Sequence, residues 1–267
     1  MTDRLWPRRD FTKTILAGLP LLSLDWDAFP RGAARDRGDD VYDAVIIGAG
    51  LGGLSCAAAF ARQGFKPLVV EQHIKPGGYA TTFARPGGFV FDVSLHSTSV
   101  PERGGLVDTR LTDPRLKAIV SWLWGYYGLP PSKLSCFYYA LPTIGYLTNG
   151  GYYPRGRSQA ISNALVRFIE ARGGQVLLGT RVEGVVTEEH AAVGVRTGDG
   201  TIFRGRVVVS NVYGWDQTLD NSGSNRLPYA TPIKGLYLAG AWTSPGGGYG
   251  AVIPSGLACF AEIMKGW

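Results

Sequence analysis

The sequence predicts an α/β fold, with a central parallel sheet flanked by helices and a small β-meander beside it. Three observations predict this. A short apolar run, DAVIIG (43–48), leads through a glycine turn and a helical stretch into a second apolar run, KPLVVE (66–71), within about thirty residues. Residues 175–209 alternate like short strands, with turns expected at Gly184 and at Gly198–Gly200. A further buried strand, GLYLAG (235–240), meets a glycine-rich loop and a last helix near 251–264.

Each element has a local reason. DAVIIG and KPLVVE are rich in branched residues, as strands buried on both faces are. Gly52–Gln63 is alanine-rich and helical, and Gly64 ends it. Residues 112–124 read as a helix starting at Thr112 or Asp113, with Pro114 in its first turn. The stretch from Tyr126 to Tyr153 is aromatic and proline-rich. Residues 158–174 form an amphipathic helix with Ser158 as N-cap and Gly173–Gly174 as its stop.

Bulk properties narrow the function. Of 267 residues, 45% are apolar and 18% charged, a globular composition. The net charge is +6, and residues 1–40 contribute none of it, with seven cations against seven anions. No basic block occurs, so nucleic acid is not an expected partner, whereas a phosphate-bearing ligand or an anionic lipid surface suits the surplus. Cys56, Cys136 and Cys259 are far apart and odd in number, so no metal site or disulfide framework is expected and all three read as packed thiols.

The first turn, Gly48-Ala49-Gly50-Leu51-Gly52-Gly53, fits G-x-G-x-x-G between strand and helix. Gly48 permits the tight turn, Gly50 admits a pyrophosphate, and Gly53 lets the helix approach the strand. Glu71 closes the second strand, eighteen residues past Gly53, where a carboxylate accepts hydrogen bonds from ribose hydroxyls. Dinucleotide binding follows, but the motif alone does not decide between NAD and FAD.

Two further stretches do. PGGYATTFARPGGFVFDVSLH (76–96) and GLYLAGAWTSPGGGYGAVIPSG (235–256) resemble the flavin-dependent phytoene desaturases, carotenoid isomerases and retinol saturases, relatives of the amine oxidases. The resemblance covers residues 41–100, about 150–210, and 235–265. It implies a Rossmann-like FAD-binding domain of the glutathione reductase type with FAD as cofactor. It places Gly77 and Gly78, with Gln72, Thr81 and Thr82 nearby, along the FAD phosphates and ribityl chain. It directs Phe91-Asp92 toward the flavin ring and gives Val182 a backbone contact with adenine. It has Ala239-Gly240 and Ala241 bring amides to the pyrophosphate, and runs Gly246–Gly248, Gly250, Ala251 and Val252 past the isoalloxazine edge. His96 is the candidate catalytic residue, following the F-D strand; a structural histidine is the alternative. His73 and His190 read as surface residues. The chain departs from the family at Ser94 and Arg157, where glycine is usual, so Arg157 is expected to disturb its turn and Ser94 to alter the path beside the flavin.

The resembled enzymes carry an inserted substrate domain, and here the intervening segments are short. The expected organisation is residues 1–40 as signal and linker, 41–100 as the first FAD-binding part, and 101–150 as a reduced substrate segment. Residues 151–212 form the second part with the meander, 213–234 a connector, and 235–267 the last part. Residues 122–147 either line an apolar tunnel or meet a membrane face; plain core packing explains them as well. Arg8-Arg9-Asp10-Phe11-Thr12-Lys13 resembles a twin-arginine export signal, with small residues at Gly32-Ala33-Ala34 for cleavage. That implies the export machinery as partner and a location in the periplasm or at the periplasmic face of the inner membrane. The expected function is an exported FAD oxidoreductase acting on an apolar polyene or isoprenoid. The alternatives are an amine oxidase-like flavoenzyme and a flavin-fold subunit of a larger complex.

Overall fold

The computed structural model describes residues 24–32, 41–94, 150–212 and 225–267, with isolated positions from 113 to 146 and from 218 to 221. The elements are β1 (Val41–Ile47), α1 (Leu51–Arg62), β2 (Pro67–Val70), β3 (Thr82–Arg85), β4 (Phe89–Asp92), α2 (Arg157–Glu170), β5 (Gln175–Leu177), β6 (Val182–Glu188), β7 (Ala191–Thr197), β8 (Ile202–Val212), β9 (Leu236–Gly240) and α3 (Tyr249–Met264). Arg115, Leu116 and Ile119, within the expected helix at 112–124, are helical, and the Asp113 carboxylate accepts the Arg115 amide at 2.8 Å.

A seven-stranded sheet forms the centre. β5, β2, β1 and β8 run parallel in that order, and β9 joins β8 in parallel. β8 unites two architectures because it is long. Its start pairs antiparallel with β7, while its last five residues pair with β9 on the same edge. β6 and β7 complete the meander.

The sheet departs from the sequence reading in two places. Residues 175–177 pair in parallel with β2 and so belong to the central sheet, not to the meander. Gly184 marks no turn; it lies at a register irregularity inside β6. The turn comes at Glu189-His190, both in the left-handed region with φ of 47° and 64°. Two left-handed residues in succession match the right-handed twist of the flanking strands. Gly198–Gly200 turns as expected, with Gly200 at φ 86°.

α1 and α3 cross on one face of the sheet, over a core that includes Ile46, Leu54, Phe60, Val69, Val209, Phe260 and Ile263. Each fully buried side chain of this size contributes about 1.5–3 kcal/mol. Cys56 and Cys259 are buried free thiols in this core, and burial pushes the Cys259 thiol well up. Residues 24–32, inside the stretch expected to be signal and linker, dock here too. Trp26 and Phe29 lie 6.2 and 5.3 Å from the Phe260 ring. Gly32 donates its amide to the Gln63 carbonyl at 2.8 Å.

Candidate functional site

The carboxyl ends of β1, β8 and β9 meet the amino ends of α1 and α3, the place where open α/β sheets bind ligands. At the first turn, Gly48 adopts φ 96° and donates its amide to Val70. A Cβ at Gly53 would sit 2.2 Å from the Gly48 carbonyl oxygen, so only glycine lets α1 start this close to β1. The helix is capped by Gly50, which offers no side-chain hydrogen bond. The first-turn amides therefore face outward as donors without an intrahelical acceptor.

Two other glycine segments converge on this turn. Gly77 forms a parallel bridge with Gly50 and donates to the Ala49 carbonyl at 2.7 Å. A Cβ at Gly52 would come within 3.0 Å of the Gly240 Cα. Leu51, Ala80, Ala241 and Val252 close the junction as one buried apolar cluster. α3 then opens at Gly248, again with no side-chain cap, which leaves a second uncapped amino end beside the first. The candidate residues Gly250 and Ala251 lie in this first turn.

Glu71 accepts the Ala49 amide at 2.7 Å on one oxygen and the His73 amide at 2.8 Å on the other. It holds the turn and keeps lone pairs for further donors. The Glu71 carbonyl accepts the Thr180 amide and the His73 carbonyl accepts the Gly179 amide, so the strand that begins at Val182 starts beside Glu71. Gln72, His73 and His190 are exposed. Thr81 is buried and donates its hydroxyl to the Gly78 carbonyl at 2.9 Å. The Thr82 amide approaches the Gln159 side chain. His96, the Arg8–Lys13 motif and most of the 122–147 stretch lie outside the described residues.

Three expectations change. The Gly240 amide does not face outward: it donates to Ser255 Oγ at 2.8 Å, and the Ala241 amide donates to Val212. This segment gives the site room, since a Cβ at Gly240 would lie 2.5 Å from the Val212 carbonyl oxygen, and gives it no donors from those two amides. Ser158 is not the N-cap of α2. Gly156 takes that position, and the cap bond comes from Asp92, whose Oδ1 accepts the Ser158 amide at 2.9 Å. Asp92 thus fastens the hairpin to α2. Arg157 keeps the turn by adopting a left-handed φ of 68° itself.

Sequence reasoning missed several residues. Asn211, at the end of β8, sits under the turn: a Cβ at Gly50 would lie 2.6 Å from its Nδ2, and one at Gly52 2.7 Å from its Oδ1. A polar residue closing an apolar central strand was the available signal. Buried Thr243 bonds Ser255 at 2.6 Å and donates to the Gly240 carbonyl, pinning the end of β9. Ser94 bonds the Tyr249 hydroxyl at 2.5 Å, and Tyr249 also reaches the Tyr79 carbonyl at 2.7 Å, so the amino end of α3 is tied to the hairpin. Buried Arg226, in the connector, donates to the Ala241 carbonyl. Tyr229 donates to the Ser244 carbonyl, and burial pushes its phenol up to about 12, with Cys259 and Glu262 adding to the shift.

The sequence profile of the NAD(P)-binding Rossmann-like domain matches residues 46–107, and that of the flavin containing amine oxidoreductases matches residues 93–216. Over residues 93–216 the chain is similar to the flavin-containing amine oxidoreductases. FAD is its cofactor, and the glycine cradle with two uncapped helix ends fits such a group. Among curated proteins, the phytoene desaturase (neurosporene-forming) of Rhodobacter capsulatus is 25% identical over 272 residues, covering 63% of this chain and 52% of that one. The all-trans-retinol 13,14-reductase of Danio rerio is 44% identical over 66 residues, covering 25% and 11%. The chloroplastic prolycopene isomerase of Arabidopsis thaliana is 41% identical over 63 residues, covering 24% and 10%. The chain therefore spans about half of the desaturase and a tenth of the other two.

Proposed function

We propose that the chain is an FAD-dependent oxidoreductase that acts on an apolar polyene or isoprenoid by hydride exchange. The observation that carries the redox reading is the convergence of Gly48–Gly53, Gly77–Gly78 and Gly240–Val252 at one place, although they are separated by up to two hundred residues. Bound FAD would supply the hydride chemistry. The chain's own part is positional: the amino ends of α1 and α3 attract the phosphates, Glu71 holds the ribose side, and Asn211 and Ser255 fix the turns. The polyene class is supported by the names of the relatives, which act on phytoene, prolycopene and retinol.

The test is an absorption spectrum of the purified protein with mass analysis of the released cofactor. A yellow protein bleached by a reductant, reoxidised by a quinone and releasing FAD supports the reading. Gly50→Val then lowers flavin content, because its side chain would lie against the Asn211 amide where the pyrophosphate approaches. Unchanged flavin content in that variant overturns this placement.

The short segments at 101–150 and 213–234 support a second reading, a flavin-fold subunit of a larger complex. A protein that binds FAD but turns over only with a co-purified partner favours it. The Arg8–Lys13 motif supports twin-arginine export to the periplasm. Retention of Arg8→Lys/Arg9→Lys in the cytoplasm, against periplasmic parent protein, is the expected outcome of fractionation.

A further inference from the structure

In the β3–β4 hairpin Thr82 pairs with Asp92 and Ala84 with Val90. These four residues share the face that turns toward α2, where Asp92 holds the Ser158 amide. Between that face and α2 lies a cavity of about 490 Å³, open on one side and within the size range of small-molecule sites. Thr82 and Val90 form one wall; Arg157, Gln159, Asn163 and Arg167 form the other.

The walls offer donors and few acceptors. Gln159 is engaged at both ends: Oε1 accepts the Thr82 amide at 3.4 Å, and Nε2 donates to the Pro76 carbonyl at 2.9 Å and to Asn163 Oδ1 at 3.1 Å. That last bond leaves the Asn163 Nδ2 protons without a partner among the described residues. Arg157 donates to the Val90 carbonyl, which ties its guanidinium to the opposite wall and leaves further N–H groups to give. The Arg167 side chain makes no hydrogen bond or ion pair among the described residues. No carboxylate lines the cavity, and the neighbouring Asp92 already accepts from Ser158 and Tyr153. The Lys75 ammonium, 3.2 Å from the Thr82 carbonyl, adds a third cation beside the hairpin wall. Arg157 also stands against its backbone preference, with φ 68°, a conformation that glycine holds without strain. Strain kept at a cavity wall points to a use for the side chain.

Unspent donors and a missing carboxylate select an anion. Arg157 and Arg167 are ten residues apart, about 15 Å along α2. Ala160 lies on the same wall between them, and Asn163 is one turn before Arg167. We propose that this cavity binds a small organic anion with an acidic group at each end, one on Arg157 and the other on Asn163 and Arg167. Carboxylate and phosphate share the chemistry required, paired anionic oxygens that match a guanidinium fork. Val90 and Ala160 leave an apolar strip for the middle of the ligand. The binding needs no FAD and stands apart from the redox reading.

The test is calorimetric titration of the full-length chain, with and without saturating FAD. The probes are azelate, a dicarboxylate, and fructose bisphosphate, with nonanoate as the single-ended control. A two-ended probe is expected to bind once per chain, about tenfold tighter than nonanoate, whether or not FAD is bound. The tighter of the two identifies the acidic group. Arg157→Gly weakens that binding about tenfold yet melts close to the parent, because glycine relieves the left-handed φ. Arg167→Gln weakens it about fivefold. Should Arg157→Gly misfold, Arg167→Gln alone decides. Four results overturn the proposal. One is no two-ended binding tighter than about 1 mM. The second is nonanoate binding as tightly as either probe. The third is full binding by both variants. The fourth is displacement of the probe by FAD, which assigns the anion to the glycine cradle.

Discussion

Replacing Gly256 by alanine tests the crossing of α1 and α3 on which the cofactor cradle rests. A Cβ at this position would lie 2.1 Å from the Gly52 carbonyl oxygen, 2.9 Å from the Cys56 amide nitrogen and 3.0 Å from the Ser55 Cβ. The first two are backbone atoms of α1 and have no rotamer to escape into. Ordinary contact begins near 3.4 Å, so the helices must part by more than 1 Å. Overpacking of this kind costs about 1–3 kcal/mol. The better helix propensity of alanine returns just under about 1 kcal/mol. The expected net loss is up to about 2 kcal/mol, a fall in melting temperature of up to about 8 °C for a domain of this size. Because Gly52 heads α1, the same displacement moves the first turn, and FAD affinity should fall at least tenfold, about 1.4 kcal/mol. Thermal melts with and without FAD read both effects. Gly184→Ala, with no atom within 4 Å of its Cβ, serves as the neutral control. A Gly256→Ala protein that melts no lower than the parent and keeps its flavin refutes the close crossing.

Three other outcomes are expected. Asp92→Ala removes the cap of α2 and frees the hairpin, lowering stability by about 1–2 kcal/mol in a urea melt, whereas Asp92→Asn keeps an acceptor and loses less. Glu189→Asn with His190→Gly relieves two left-handed residues and raises the melting temperature by about 2–4 °C, roughly 1 kcal/mol. Tyr229 has its phenol raised from 10.0 to about 12 by burial. Below pH 10 it is protonated in both folded and unfolded chains and has no effect on stability. Between pH 10 and 12 the unfolded chain loses the proton first, so stability falls as pH rises. Tyr229→Phe should flatten that part of an alkaline denaturation profile.

Local signals made the first half of the site legible. The β1-α1-β2 unit is written in periodicity and glycine spacing, and both the turn and Glu71 stand where those signals put them. Gly77 beside Gly50 is a nonlocal contact; the family resemblance placed Gly77 along the FAD phosphates but did not name Gly50 as its neighbour. What sequence reasoning missed depends on distant partners. The cap of α2 comes from Asp92, 66 residues upstream, which made neighbouring Ser158 look like the cap. The outward amide expected of Gly240 is taken by Ser255, fifteen residues on. Asn211 gains its place under the turn only when β8 is set beside β1. The Glu189-His190 turn carries neither Asn nor Gly, so no residue announced it.

The aromatic clasp around Phe260 has a consequence for handling the molecule. Trp26 and Phe29 grip the carboxyl end of α3, and Trp267 lies 5.9 Å from Phe60 near the far end of α1. α1 spans about 18 Å from the glycine turn to that pole. Trp26, Phe29 and Trp267 therefore all lie away from the nucleotide pole. An affinity tag or a surface tether placed after Trp267 should leave the glycine mouth facing open solution, whereas clipping the chain between Gly32 and Ala34 would unstopper the rings around Phe260 and invite clumping.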